Sequence, residues 1–259
     1  MSKSEEEAAK QDAGEDQDKS WGGLFREAVH TLFWAFVIAF FVRTLAYEPF
    51  NIPSGSMKPT LLVGDYLFVS KYAYGFSRYS FPLSPPIFKG RIFASEPERG
   101  DVVVFKKPPE NEIDYIKRVI GLPGDEIQVT AGRLYINGEL VKREKLGTTL
   151  TSNGAGFPMR FTAYTETLPN GVIHQIWEES DQEVHDNTPV YRVPEGHYFM
   201  MGDNRDRSLD SRAIGYVPWE NLVGRAGIIF FSHNGDASLF EVWKWPEAIR
   251  FGRIGDDIN

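Results

Sequence analysis

The chain has 259 residues, enough for one large domain or two small ones, and its 25% charged and 42% apolar residues are ordinary for a folded protein. A formal net charge of -8 argues against a nucleic-acid partner, because neutralising phosphates needs clustered Lys and Arg. With no Cys, the sequence excludes disulfides, thiolate zinc sites and cysteine nucleophiles, and this leaves the compartment open.

The first stretch, "MSKSEEEAAKQDAGEDQDKS", is too acidic and polar to bury a core, so residues 1–23 are expected to form a disordered cytoplasmic tail. Residues 24–46 follow as the most apolar run of the chain. Its uncharged part, residues 28–42, is shorter than the roughly 20 residues a bilayer needs, but Arg26 and Arg43 can snorkel to the two interfaces. Trp34, Phe40, Phe41 and Tyr47 suit lipid and headgroup contacts, so a single membrane span is expected. Two other readings stay open. A cleavable leader would have a short basic start rather than a long acidic one, and a buried core helix would tolerate the 15-residue uncharged run. The basic flanks favour an N-terminus in the cytoplasm and the bulk of the chain outside.

Residues 47–259 change character to short β-rich runs broken by Gly and Pro, among them "DYLFVSKYAYG", "DVVVFKK", "DYIKRVIGLPGD", "GVIHQIW", "HYFMMGD" and "GRAGIIFFS". "YINGEL" carries the Asn-Gly signature of a type I′ hairpin at Asn137 and Gly138. The expected fold is mainly β, an antiparallel β domain with a β-rich insertion subdomain at about residues 125–193, tethered by one N-terminal transmembrane helix. Within that insertion "GTTLTSNGAGF" and "EESDQEVHDNTP" are expected to be loops. The C-terminal "SLFEVWKWPEAIRFGRI" places Phe240, Val242, Trp243, Trp245 and Phe251 among basic residues, which suits either the bilayer interface or a core-capping segment.

"NIPSGSMKPTLLVGD", just past the apolar run, sets Ser54 and Ser56 around a glycine. Turn chemistry alone accounts for Pro, Ser and Gly together. The five histidines, His30, His174, His185, His197 and His233, stand in no recognisable nucleophile-base context. No HExxH or paired-His spacing occurs, and the Asp-rich "GDNRDRSLDSR" carries three arginines that would repel a cation, so neither metal nor cofactor is expected. Lysine remains as a base. In "DYIKRVIG" strand alternation puts Lys117 on one face with Tyr115 and Val119. Lowering a lysine from about 10.4 to about 8 costs the ammonium ~3 kcal/mol, which desolvation can supply. Alone, a strand lysine is ordinarily a snorkelling surface residue.

With these residues assembled, the chain resembles the type I signal peptidases, the bacterial membrane-bound Ser/Lys proteases that remove signal peptides from exported proteins. The resemblance rests on five boxes in the family's order, "PSGSMKPTL", "GDYLFVSKYAYG", "RGDVVVFKKP", "DYIKRVIGLPGD" and "GDNRDRSLDSRAIGYVP", covering most of residues 47–232. It implies Ser56 as nucleophile, Lys117 as general base, and Ser54 with the Ser56 backbone N–H as oxyanion hole. It further implies that Ser208 helps orient the lysine and that Asp210 and Arg212 form a supporting ion pair. "SGSMKP" would begin a short helical turn at Ser56.

By the same resemblance, a preprotein segment lies as an added strand between "EPFNIP" and "DYIK". Ile52, Met57, Leu61 and Tyr115 would line the −1 pocket, with Phe50, Val104 and Ile116 near the −3 pocket and Pro53 and Asp114 as further substrate-binding residues, matching small-x-small cleavage sites. Partners would be signal-peptide-bearing preproteins and membrane lipid, without nucleic acid or metal, at the bacterial inner membrane. Two departures stand out: one predicted span where some members have two, and Arg207 where the late box often has Asn. Two competing activities are a Ser/Lys protease that cuts its own chain or a soluble protein, and a noncatalytic tethered β module that binds exported peptides.

Overall fold

The computed structural model describes residues 21–81, 83–86, 88–152, 158–236 and 241–258. The acidic tail at residues 1–20, the loop centre at 153–157 and Phe240 lie outside the described residues.

Helix α1, Trp21–Leu45, carries no Asp, Glu, Lys or Arg between Ala28 and Val42. Residues 23–45 have a mean hydropathy of 1.7 over their best window, of which 6% is buried, and form the one helix among the described residues long and apolar enough to cross a membrane. Leu32, Phe33, Phe36, Ile38 and Phe41 are all more than half exposed. The chain divides into two compact units, residues 1–43 and residues 44–259.

The second unit is mainly strand, as the alternation and turn signals predict. A seven-stranded antiparallel sheet runs β1-β2-β14-β3-β4-β12-β13. Its strands are β1 (Tyr47–Asn51), β2 (Asp65–Ser70), β3 (Val102–Lys106), β4 (Asp114–Gly121), β12 (His197–Met201), β13 (Val217–Pro218) and β14 (Leu222–Ser232). The run "VVVF" in β3 is apolar at successive positions because both faces of the sheet are covered. Val102 and Val104 enter one buried cluster with Ile52, Met57, Leu61 and Leu67, while Val103 and Phe105 enter another with Tyr74, Val119 and Leu222. Register shifts along β14 curl the sheet where it passes between β2 and β3.

Between β4 and β12 lie two smaller sheets. One has the order β11-β5-β6-β7 and the other β10-β9-β8. The first comprises β5 (Glu126–Thr130), β6 (Arg133–Ile136), β7 (Glu139–Leu140) and β11 (Tyr191–Arg192); the second comprises β8 (Lys142–Ser152), β9 (Pro158–Thr167) and β10 (Ile173–Glu178). Asn137 and Gly138 both take positive φ, 56° and 79°, and join β6 to β7 as a type I′ turn demands. The expected loop "GTTLTSNGAGF" is corrected in its first half: residues 147–152 continue β8 and pair with β9. Thr-rich sequence with cross-strand Thr148↔Thr162 pairing fits a pleated surface, so tertiary pairing outweighs the local turn signal.

The late segment is held by charge as well as packing. Asp65, fully buried at the start of β2, accepts from Ser232 Oγ at 2.6 Å and from Arg253 Nη2 at 2.6 Å, joining β2, β14 and the C-terminal residues at one carboxylate. Short α2 (Ser211–Ile214) follows the late box, and α3 (Trp245–Ala248) lies in the C-terminal segment.

Candidate active site

The turn between β1 and β2 carries both serines. Ile52, Met57 and Leu61 anchor it in the core at 3%, 0% and 0% exposure, so the hydroxyl of Ser56 is held from beneath by packing. Residues 54–61 make successive turns, with Lys58 N–H donating to Gly55 O and Leu61 N–H to Met57 O, and no helix forms at Ser56. The expected short helical turn is thus present as one i→i+3 and one i→i+4 bond, and it does not extend into a helix. The Ser56 N–H has no acceptor among the described residues. Ser54, exposed, places its Oγ 3.5 Å from Ser56 Oγ, at the outer limit of a hydrogen bond.

Lys117 reaches this turn from β4. Its Nζ donates to Ser56 Oγ at 2.7 Å and to Ile116 O at 2.8 Å, and lies 5.3 Å from the centroid of the Tyr115 ring, the neighbour that strand alternation predicts. Lys117 and Ser56 are 4% and 8% exposed. Burial of the ammonium lowers the lysine from its ordinary 10.5 to about 8, against the opposing pull of the Asp210 and Asp203 carboxylates. A buried amine near neutrality beside a hydroxyl is the arrangement that lets lysine take a proton.

A third segment, residues 202–212, locks the other two in place. The Asn204 backbone N–H donates to Ser56 O at 3.1 Å and its Nδ2 to Gly55 O at 3.0 Å, clamping the serine turn by its carbonyls. A Cβ on Gly202 would lie 2.2 Å from Ser208 Oγ and 2.5 Å from the backbone oxygen of Ser56, so only glycine permits this approach. Asp210, fully buried, accepts from Gly202 N–H at 3.0 Å and from Arg212 Nε and Nη2, each at 2.9 Å. Burial alone would raise that carboxyl, yet the Arg212 guanidinium holds it below its usual range.

Next to the lysine, Arg118 and Asp203 form a bidentate pair at 2.9 and 2.7 Å, with side chains 0% and 1% exposed. Thr60 Oγ1 donates to the same carboxylate at 2.5 Å, so the pair joins β4, the serine turn and the late loop. Burial would raise Asp203 as well, and Arg118 reverses the sign. Farther along, Arg205 donates to both oxygens of Glu166 on β9, at 3.0 and 2.5 Å, fastening the three-stranded sheet to this loop.

The structure thus brings together Ser54, Ser56, Lys117, Asp210 and Arg212. Ser208 is buried beside Gly202 and makes no hydrogen bond to Lys117 among the described residues, and Ile116 O accepts from the amine. Phe50, Ile52, Pro53, Val104, Asp114, Tyr115 and Ile116 line one cleft of about 280 Å³ between β1 and β4. A second cavity of about 360 Å³ holds the serines and Lys117. Met57 and Leu61 line neither: both are fully buried in the core, and their expected place in the −1 pocket is corrected to support beneath the turn. Thr60, Arg118, Gly202, Asp203 and Asn204 were not anticipated from the sequence. Arg118 alone gave a signal, being an arginine within an apolar strand that needs a buried acid.

Residues 25–231 match the family described as signal peptidase, peptidase S26. A signal peptidase I from Rickettsia typhi is 43% identical over 235 residues, covering 84% of this chain and 88% of its own. One from Rickettsia conorii is 43% identical over 241 residues, covering 85% and 89%. A solved structure of a signal peptidase I from Enterococcus faecalis V583 is 27% identical, covers 51% of this chain and 97% of its own, and superposes with a TM-score of 0.30.

Proposed function

This chain belongs to the signal peptidase family S26, peptidases that cleave signal peptides, and we propose that it does so with Ser56 as nucleophile and Lys117 as general base. The observation that carries the proposal is the 2.7 Å contact between Lys117 Nζ and Ser56 Oγ, both buried. The neutral amine takes the Ser56 proton as Oγ attacks the scissile carbonyl carbon. Negative charge gathers on the carbonyl oxygen, where the unengaged Ser56 N–H and the Ser54 hydroxyl can donate to it. Collapse breaks the C–N bond, and the lysine ammonium returns its proton to the departing amine. Water, deprotonated by the same lysine, then hydrolyses the ester and restores Ser56.

Substrate recognition follows from the two strands that border the cleft. β1 is one of the two outer strands of the sheet, and residues 114–117 of β4 pair with β3 alone, since β12 pairs only with residues 118–121. An extended preprotein segment laid between them gains backbone hydrogen bonds, while Ile52, Pro53 and Tyr115 meet the −1 side chain and Phe50, Val104 and Ile116 the −3 side chain. The shallow apolar walls admit Ala, Gly or Ser. Residues 24–46 act as the membrane anchor with the N-terminus cytoplasmic, and residues 47–259, insertion 125–193 included, as the extracytoplasmic catalytic domain. The anchor holds enzyme and signal peptide in one bilayer and raises their effective concentration.

Incubating the purified protein with a peptide containing Ala-x-Ala is expected to give two fragments, cut after the second Ala, with EDTA having no effect. Because the lysine must be neutral and its pKa is about 8, kcat/KM is expected to rise about 10-fold from pH 7 to pH 9 and then level. A peptide bound but left intact would indicate the noncatalytic module, and activity lost to EDTA a metal enzyme. Gly202→Ala is expected to lower kcat/KM by about 100-fold in the same assay, because the added methyl displaces the Ser56 carbonyl, and angstrom-scale misplacement costs that much. A circular-dichroism melt of the variant checks that the β domain survives.

A further inference from the structure

We infer that Arg207 selects for acidic residues at the start of the mature chain, an inference that rests on the peptidase function proposed above. The cleft between β1 and β4 accounts for the substrate side chains before the scissile bond. The dyad cavity has a lining that the β1–β4 cleft lacks, Ile113, Arg207 and Leu209, and a peptide running on past Ser56 meets it there. Arg207 is the sole charged side chain among those three.

Its guanidinium is oriented from one edge. Nε donates to Glu179 Oε1 and Nη2 to Glu179 Oε2 at 3.0 Å, while Nη1 carries no hydrogen bond among the described residues. Glu179 is tied back to the same loop, its backbone N–H donating to Asp206 Oδ2 at 2.6 Å. Arg207 is 55% exposed and Glu179 20%, so the cation is the more accessible member of the pair. The other exposed charge in this cavity, Asp114, is engaged by Lys106 at 3.0 Å. The cavity therefore offers a departing segment a fixed guanidinium with a free N–H edge, which attracts an Asp or Glu side chain and repels Lys or Arg. Glu179 offsets part of that charge, and solvent screens the rest, so the discrimination is modest.

The test uses Ala-x-Ala peptides that carry Asp, Ala or Lys at the first or second residue after the cut, with kcat/KM measured for wild type, Arg207→Gln and Glu179→Gln. Wild type is expected to favour Asp over Lys by about 5-fold at one of the two positions, the upper range for an exposed ion pair, and the ratio should shrink in high salt. Arg207→Gln should bring the ratio to about 1. Glu179→Gln should raise it above wild type, since the cation loses its counter-charge. A merely structural pair would behave otherwise, with both substitutions lowering cleavage of every peptide alike. Ratios equal in wild type and Arg207→Gln, with cleavage intact, overturn this inference alone. A wild-type enzyme that cuts none of the peptides refutes the proposed peptidase activity and this selectivity with it.

Discussion

Ser56→Ala and Lys117→Met are each expected to lower kcat/KM on an Ala-x-Ala peptide by at least about 100-fold, with the β domain still folded. The first removes the attacking oxygen; the second removes the group 2.7 Å away that takes its proton, and general-base assistance is worth roughly 100- to 10,000-fold. Stability separates the two variants. Lys117 has its folded-state pKa depressed from 10.5 to about 8, so between those values the unfolded chain holds a proton that the folded chain does not. Stability therefore falls as pH drops through that window, and below about pH 8 the full cost of the buried amine, about 3 kcal/mol, is present. Lys117→Met removes the cost and loses the two hydrogen bonds to Ser56 and Ile116. At pH 7 its urea midpoint is expected to equal or exceed that of wild type. A Lys117→Met enzyme that cleaves at near wild-type rate removes lysine from the mechanism.

Asp203→Ala is expected to destabilise the protein by about 3–5 kcal/mol, the largest stability effect among these residues. The substitution leaves the Arg118 guanidinium buried at 0% exposure without its carboxylate partner and takes the acceptor from Thr60 Oγ1. The loss exceeds what the pair contributes, because removing one partner strands the other charge in a place water does not reach. Replacing both residues, Arg118→Met with Asp203→Leu, is expected to recover much of it. Urea unfolding with an unchanged slope measures both variants. Asp203 has its folded pKa held below the ordinary 3.8 by Arg118, so its stabilisation is present above that value and lost as pH falls through the folded one. The gap between wild type and Asp203→Ala should accordingly narrow on acidification below about pH 4. A variant as stable as wild type would show that the pair is dispensable.

The two variants address different levels of one structure. Ser56 and Lys117 do the proposed chemistry, whereas Arg118, Asp203 and Asn204 set the distance between them. Asn204 bonds the carbonyls of Gly55 and Ser56, and Asp203 bonds the arginine beside the lysine, so the late loop spans the dyad from both sides. That division explains why a substitution at Gly202, which touches no substrate, is expected to act on the rate.

Features that depend on near neighbours in the chain were legible in the sequence. The apolar helix, the four-residue apolar run of β3 and the Asn137-Gly138 turn follow from period, propensity and composition, whereas the five boxes were legible only through the family resemblance. The resemblance of those boxes also named Ser56 and Lys117, which stand 61 positions apart. The rest came from long-range packing: that β4 buries Lys117 against Ser56, that Gly202 must be small because Ser208 and Ser56 crowd it, that Ile116 O accepts from the amine, and that Met57 and Leu61 face the core. The reason is physical. Desolvation and hydrogen bonding are sums over whatever surrounds a group, and around this lysine those surroundings come from three distant segments whose pairing no local pattern encodes.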